Sequence, residues 1–321
     1  MIELNSITKS YNNIKVVDNL SITITEGEIT VLIGPSGCGK TTTLEMINGL
    51  IKHDSGEIYI DGQNITAADL ISLRRRIGYV IQEVGLFPHY TVFENITTVL
   101  SLLKWDKSRI KSRVDELLKL VNLSASSFDK YPHQLSGGQQ QRVGVARALA
   151  ANPDYLLMDE PFGALDPINR AHLQDEFLRI QNQLKKTVVF VTHDMDEALK
   201  MGDRIAVMNN GELLQYDTPL NLLRNPSNEF VKQFVGSKKI MKALPLITIS
   251  ELPEEFLQLI RKEDLSQKEK ITVSINSNLQ SVLETFLKAK DYSLSVIDES
   301  NKQIGVLSFS LFKKYLSEFI I

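Results

Sequence analysis

The sequence predicts an α/β domain built round a phosphate-binding loop and followed by a small α+β unit. Three observations carry that prediction. Short, unbroken apolar runs at Ile29–Ile33, Tyr155–Met158 and Thr187–Thr192 read as strands buried on both faces, as a parallel sheet requires. The first run leads into Gly34-Pro35-Ser36-Gly37-Cys38-Gly39-Lys40-Thr41 and then a helical stretch from Thr42, which is G-x-x-x-x-G-K-[ST] in its strand–loop–helix setting. After residue 270 the pattern restarts as strand, helix, strand, strand, helix.

In chain order, residues 1–33 alternate apolar and polar, as in Ile2, Leu4, Ile7 and Leu20, Ile22, Ile24, and predict an antiparallel layer. Tyr11 sits in the polar turn Lys9–Asn13, where an aromatic ring either packs or stacks on a ligand. Ser55–Ile60 is a strand closing on the Asp61-Gly62 turn. Arg74-Arg75-Arg76, a run usual on a solvated face, precedes a strand at Ile77–Ile81 that ends at Gln82. From about residue 86 to 150 the pattern is helical, with Leu117, Leu118, Leu120 and Val121 at helical spacing. A helix over roughly 168–184 separates the strands ending at Asp159-Glu160 and at His193.

Residues 237–270 show no core periodicity before Phe256, Leu257, Leu259 and Ile260, and read as a linker with one short helix. In the last unit, Leu279, Val282, Leu283, Phe286 and Leu287 fall on one helical face. Leu294–Val296 and Ile304–Val306 are strands about a turn, and Phe312, Tyr315, Leu316 and Phe319 predict a closing helix. So small a unit is expected to pair with a copy of itself.

Composition excludes several classes. The chain has 321 residues, 43% hydrophobic and 23% charged, with net charge −3 and no dominant basic stripe, so nucleic acid is not an expected partner. The single cysteine, Cys38, lies in the phosphate loop, so no intrachain disulfide forms, which fits a reducing compartment. The first residues read as no secretory signal, and no run reaches the roughly 18 apolar residues that span a bilayer. Any membrane connection is expected through a partner.

The candidate chemistry lies at strand ends. Glycines let successive N–H groups face an anion, and the helix behind adds its positive end. Lys40 would reach the β- and γ-phosphates and Thr41 would hold Mg²⁺. Asp159 can join the Mg²⁺ shell, and Glu160 can position or deprotonate water. A lone histidine is more often structural. His193, however, ends a strand beside these groups and reads as a γ-phosphate contact. Gln82 could touch Mg²⁺ or the attacking water. Ser136-Gly137-Gly138-Gln139 opens another helix and offers a second anion site. One γ-phosphate and two such termini imply a head-to-tail dimer, with ATP between the loop of one copy and Ser136–Gln139 of the other.

Over residues 1–236 the chain resembles the ATP-binding subunits of ABC transporters, with the motifs in order. Tyr11 takes the adenine-stacking position, Gly34–Thr41 the Walker A loop with Thr42 beside it, Gln82 the Q-loop, and Leu135–Gln139 the signature. Asp159 and Glu160 are the Walker B pair, Ala164-Leu165-Asp166 the D-loop, and His193 the switch histidine. The resemblance implies a P-loop NTPase fold: a RecA-like core, an antiparallel layer and a helical subdomain near 86–155. It implies Asp166 acting across the dimer, and membrane-subunit contact near Gln82–Tyr90, with Glu83, Gly85, Phe87 and Pro88 lining the groove.

Arg74–Gln82 and Gly85–His89 look most like importers of glycine betaine, carnitine and choline, and residues 271–321 resemble one cystathionine-β-synthase-type (CBS) motif. Leu311 stands where nucleotide-binding copies carry an Asp, and it cannot bond a ribose. Dimerisation or regulation is therefore expected of this unit, not adenine sensing. The implied protein is an ATP-hydrolysing, Mg²⁺-dependent homodimer on the cytoplasmic face of the membrane. It serves integral permease subunits and, through them, an extracytoplasmic solute-binding protein. The alternatives are the same ATPase serving an amino acid or other betaine-like solute, and a soluble non-transport ATPase. The latter usually carries two ATPase units or a long coiled coil, and neither is present.

Overall fold

A computed structural model describes residues 1–82, 85–163, 165–236, 239–262, 271–289 and 293–319. The chain divides into two compact units, Met1–Thr218 and Pro219–Ile321, earlier than the 236/237 boundary expected.

The first unit opens with β1 (Ile2–Tyr11), β2 (Ile14–Ile24) and β3 (Ile29–Ile33). There follow α1 (Lys40–Ile47), β4 (Ser55–Ile60), β5 (Gln63–Asn64), α2 (Leu70–Arg75) and β6 (Ile77–Val80). Then come α3 (Val92–Leu102), α4 (Lys107–Leu120) and α5 (Gly137–Leu149), which form the predicted helical region. The unit closes with β7 (Tyr155–Asp159), α6 (Pro167–Leu184), β8 (Thr187–Thr192), α7 (Met195–Met201), β9 (Arg204–Asn209) and β10 (Glu212–Asp217). The last two strands carry no sequence motif.

Among the described residues the strands of this first unit make two sheets. The antiparallel one runs β2-β1-β4-β5 and the other β10-β9-β3-β8-β7-β6. In the second, β6, β7, β8, β3 and β9 are parallel and only β10 runs against its neighbour. Every residue of β3, β7 and β8 is buried, which explains their unbroken apolar sequences. Ile33 stands opposite Thr192 and Asp159 opposite Val191, so the polar groups following these strands emerge at one edge. The sheets close over a common core. Ile2, Leu4, Ile22 and Ile24 of one meet Leu32, Leu157 and Val189 of the other, with Leu44, Met46 and Ile47 of α1. Each such side chain contributes roughly 1.5–3 kcal/mol on burial.

The arginine run is a solvated face, with Arg74 and Arg75 exposed and Arg76 partly so, but two of its members are also tied down. Arg74 donates to the carbonyls of Asn48 and Gly49 (3.2 and 2.7 Å), and Arg76 pairs with Asp61 and Asp154.

The second unit contains α8 (Pro219–Arg224), α9 (Glu229–Val235), α10 (Lys239–Ala243), α11 (Glu254–Lys262), β11 (Thr272–Ser274), α12 (Leu279–Ala289), β12 (Ser293–Ile297), β13 (Gln303–Ser308) and α13 (Phe309–Phe319). Its sheet is β11-β12-β13, parallel then antiparallel, as the β-α-β-β-α pattern predicts.

Residues 239–262 are not a plain linker. Ala243, Leu244, Ile247, Ile249, Leu252, Phe256 and Ile260 are buried. Ser250 N donates to Ile275 O at 2.8 Å and Leu279 N to Ile247 O at 2.8 Å. Phe256 and Ile260 lie in α11, the one short helix read from the sequence, whereas Leu244 and Ile249 belong to two 3₁₀ turns, Leu244–Leu246 and Ile249–Glu251, too short to leave a readable period. Leu287 is also corrected. It is 68% exposed while Leu279, Val282 and Phe286 are buried, because eight helical steps carry it to the edge of their face.

Candidate active site

Gly39 caps α1 with φ 103°, and a Cβ there would lie 2.4 Å from the Val16 carbonyl, so only glycine closes the loop. Lys40 is buried, and its Nζ donates to the Gly34 and Pro35 carbonyls, both at 2.8 Å. The ammonium thus stands over the turn formed by residues 34–39. Pro35, Ser36 and Gly37 are exposed, while Cys38 is buried with its Sγ 3.7 Å from Lys40 Nζ. Burial pushes the Cys38 thiol up, and the lysine charge works against that. Thr42 is half-buried beside the loop.

Three strand ends converge next to it. Thr41 Oγ1 donates to Asp159 Oδ1 at 3.2 Å. Burial raises the Asp159 carboxyl above its ordinary range. The Glu160 charge adds to this, while Thr41 and Lys40 oppose it. Glu160 follows with φ 42°, a left-handed conformation unusual for a side-chain-bearing residue. Its amide donates to Val191 O at 3.0 Å, anchoring it to β8. Its carboxylate is held on both sides. Gln82 Nε2 donates to Oε2 at 3.1 Å, and His193 Nδ1 lies 3.1 Å from Oε1. The residues predicted at three separate strand ends therefore form one chain of contacts centred on Glu160.

The other predicted residues lie apart from that chain. Ser136 caps α5 by accepting from Gln139 N at 3.3 Å, and Gln139 Oε1 accepts from Ser136 N at 3.0 Å. A Cβ on Gly137 or Gly138 would meet only Leu165 or Leu173, at an ordinary 3.5 and 3.6 Å. Asp166 caps α6, accepting from Asn169 N (3.2 Å) and Nδ2 (2.7 Å). These bonds lower its carboxyl. Tyr11 is 45% exposed at the end of β1, with Lys9 Nζ 5.3 Å from its ring centre. Ala164 and Glu83 lie outside the described residues.

Gly85 and Phe87 line a cavity of about 400 Å³ together with Arg74, Arg75, Ile81 and Arg147, and Pro88 is not among its lining residues. Two residues missed from sequence hold this region. Arg147 Nη1 donates to Gly85 O at 2.7 Å. Asn95, fully buried in α3, accepts from Phe87 N (2.8 Å) and donates to the carbonyls of Phe87, Tyr90 and Thr91 at 3.1, 3.1 and 3.0 Å. Nothing in the apolar period of α3 marks Asn95 as more than a polar interruption.

Residues 17–163 match the ABC transporter family. The chain is 49% identical over 312 residues to the glycine betaine/carnitine/choline transport ATP-binding protein of Bacillus subtilis, covering 97% of this chain and 79% of that one. It is 47% identical over 311 residues to the osmoprotectant import ATP-binding protein of Salmonella typhimurium, covering 95% and 78%. Among solved structures, a dimeric ATP-binding cassette in a post-hydrolysis state bound to ADP and Pi aligns at TM-score 0.62 and 37% identity. The match covers 68% of this chain and 99% of that one.

Proposed function

We propose that this chain, which belongs to the ABC transporter ATP-binding proteins and is the ATPase of an importer, energises uptake of quaternary-ammonium osmoprotectants such as glycine betaine, carnitine and choline. The observation that carries hydrolysis is the Glu160 carboxylate, held by Gln82 and His193 at the edge where the phosphate loop opens. The cargo rests on likeness to relatives named for those solutes over nearly the whole chain.

Residues 34–42 would take the phosphates of ATP, and Tyr11 the adenine. Lys40 would turn from the loop carbonyls to the β- and γ-phosphates. The residues present fit Mg²⁺. Thr41 supplies a hydroxyl and Asp159 a buried carboxylate, 3.2 Å apart, and Gln82, bonded to the neighbouring Glu160, would add an amide oxygen. Among the described residues no cluster of three or more His, Cys, Asp or Glu could hold a metal alone, so phosphates and water would complete the shell. Bound there, the cation would neutralise charge on the β- and γ-phosphates. Glu160 would take the proton of the attacking water, an effect worth about 10²- to 10⁴-fold. His193 would hold Glu160 and the γ-phosphate in register, and Gln82 would orient the water.

Completion of the site from a second copy is supported by Ser136 and Gly137. Both are exposed at the N-terminal end of α5, which suits an approach from outside by the partner's nucleotide. Ser136–Gln139 and Asp166 would act in trans in this homodimer. The cavity at Gly85 and Phe87 would receive an integral permease subunit, which in turn receives solute from an extracytoplasmic binding protein. No helix among the described residues is long and apolar enough to cross a membrane, and a peripheral position at the cytoplasmic face follows from such a partner. Residues 1–236 would form the ATPase domain. The C-terminal β-α-β-β-α unit would serve as a single CBS-type element for dimerisation or regulation.

Glu160→Gln is expected to bind ATP normally and lose nearly all turnover, and full turnover would remove Glu160 from the base role. Radiolabelled betaine uptake by the reconstituted complex tests the cargo, and uptake of amino acids without betaines would overturn it.

A further inference from the structure

The two groups assigned to hydrolysis are carried on loops that follow the strands. After Glu160, Gly163 N donates to Glu160 O at 3.1 Å and Leu165 N to Phe162 O at 3.3 Å, forming a tight turn. After His193 comes Asp194, whose carboxylate caps α7 by accepting from Asp196 N at 2.8 Å and Glu197 N at 3.2 Å. One side chain reaches both loops. Arg170, in the first turn of α6, donates through Nη2 to Leu165 O at 3.0 Å and Gly163 O at 3.4 Å. Its Nη1 lies 3.7 Å from Asp194 Oδ2. Among the described residues its buried Nε makes no hydrogen bond, so its hydrogen bonds run to this turn, and its charge also acts on the Glu197 carboxylate.

We propose that Arg170 is a positioning residue for hydrolysis: it ties the turn after Glu160 to the cap after His193 and so maintains the contact between those two side chains. The inference rests on the reading of Glu160 and His193 as the hydrolytic pair. On one side Arg170 is two hydrogen bonds from the Glu160 backbone, through Gly163. On the other it is one ion pair and one peptide bond from His193. A planar fork with several donors can serve two carbonyls and a carboxylate together, which a lysine cannot. Leu165 adjoins Asp166, so the same arginine would carry any movement at the proposed dimer contact to the catalytic pair.

The test uses the full chain and reads steady-state ATP turnover, ATP affinity and thermal unfolding. Arg170→Met is expected to lower kcat about tenfold or more with KM for ATP little changed, because misplaced groups lose rate without losing ground-state binding. Arg170→Lys should recover part of the loss. Asp194→Asn keeps a capping oxygen but removes the charge, and should lower kcat less than Arg170→Met. The double variant should be no worse than Arg170→Met alone. An equal fall in affinity and kcat/KM at unchanged kcat would overturn the proposal. If Arg170→Met does not fold, Asp194→Asn decides, and wild-type turnover there overturns it. His193→Ala separates the two readings. If it turns over fully, the hydrolytic reading itself fails. If it is inactive while Arg170→Met and Asp194→Asn work normally, only the linkage fails.

Discussion

Thr41 donates its hydroxyl to Asp159 across 118 residues of sequence, joining the first turn of α1 to the end of β7 at 3.2 Å. This contact juxtaposes the two oxygen donors expected to share a cation. Asp159→Asn keeps the shape and removes the charge. Turnover is expected to fall at least about tenfold, in line with the loss of a charged partner worth roughly 1.5–3 kcal/mol. The Mg²⁺ concentration giving half-maximal rate should rise, as a titration of ATPase activity against Mg²⁺ would reveal. An unchanged titration curve would dissociate Asp159 from the cation.

Asn95 makes four hydrogen bonds to the backbone between Phe87 and Thr91 from a fully buried position. Asn95→Ala removes all four: the Phe87 amide and the Tyr90 carbonyl lose their partner, while the Phe87 and Thr91 carbonyls keep the bonds from Tyr90 N and Asn95 N, at about 1–3 kcal/mol for each group left unbonded. Destabilisation of about 2–4 kcal/mol is expected in denaturant titration. ATP binding by the remaining folded protein should persist, because Asn95 lies away from the phosphate loop.

Asp61 predicts a pH dependence. Partial burial works against its ionisation, but hydrogen bonds from the Met1 ammonium, Tyr155 and Arg76 outweigh that and hold it well below the usual carboxylate range. A carboxylate lowered in the folded state stabilises fully above its unfolded value, near pH 4, and loses that contribution as the pH falls toward the folded value. Asp61→Asn should therefore be less stable than the parent at pH 7, by about 1 kcal/mol or less for so exposed a pair. The difference should shrink as the pH drops below about 4. Urea midpoints at pH 7 and pH 3 would show it, and an equal gap at both would contradict it.

The parts of the site that sequence reveals are those whose chemistry is local. Gly34–Thr41 needs only its own backbone, and Asp159, Glu160 and His193 are marked because apolar runs stop at them. Residues whose roles depend on partners without a sequence signature are unreadable. Arg76 looks like one of three solvated arginines until Asp61 and Asp154 close on it, 15 and 78 residues away. Arg170 and Asn95 have the same character, since both bond backbone atoms that carry no sequence signature. The packing of 243–252 is hidden for a related reason, because 3₁₀ turns have no period to detect, whereas α11 shows its period in Phe256, Leu257, Leu259 and Ile260.

Glu160 keeps a left-handed backbone that costs a side-chain-bearing residue roughly 1–2 kcal/mol. In evolutionary terms, the active site lowers the stability of the fold that carries it. Selection for heat resistance alone would favour glycine or asparagine at this position, residues at ease in that conformation, at the expense of the base proposed above. On the proposed role of Glu160, a glutamate at this position trades fold stability for hydrolysis.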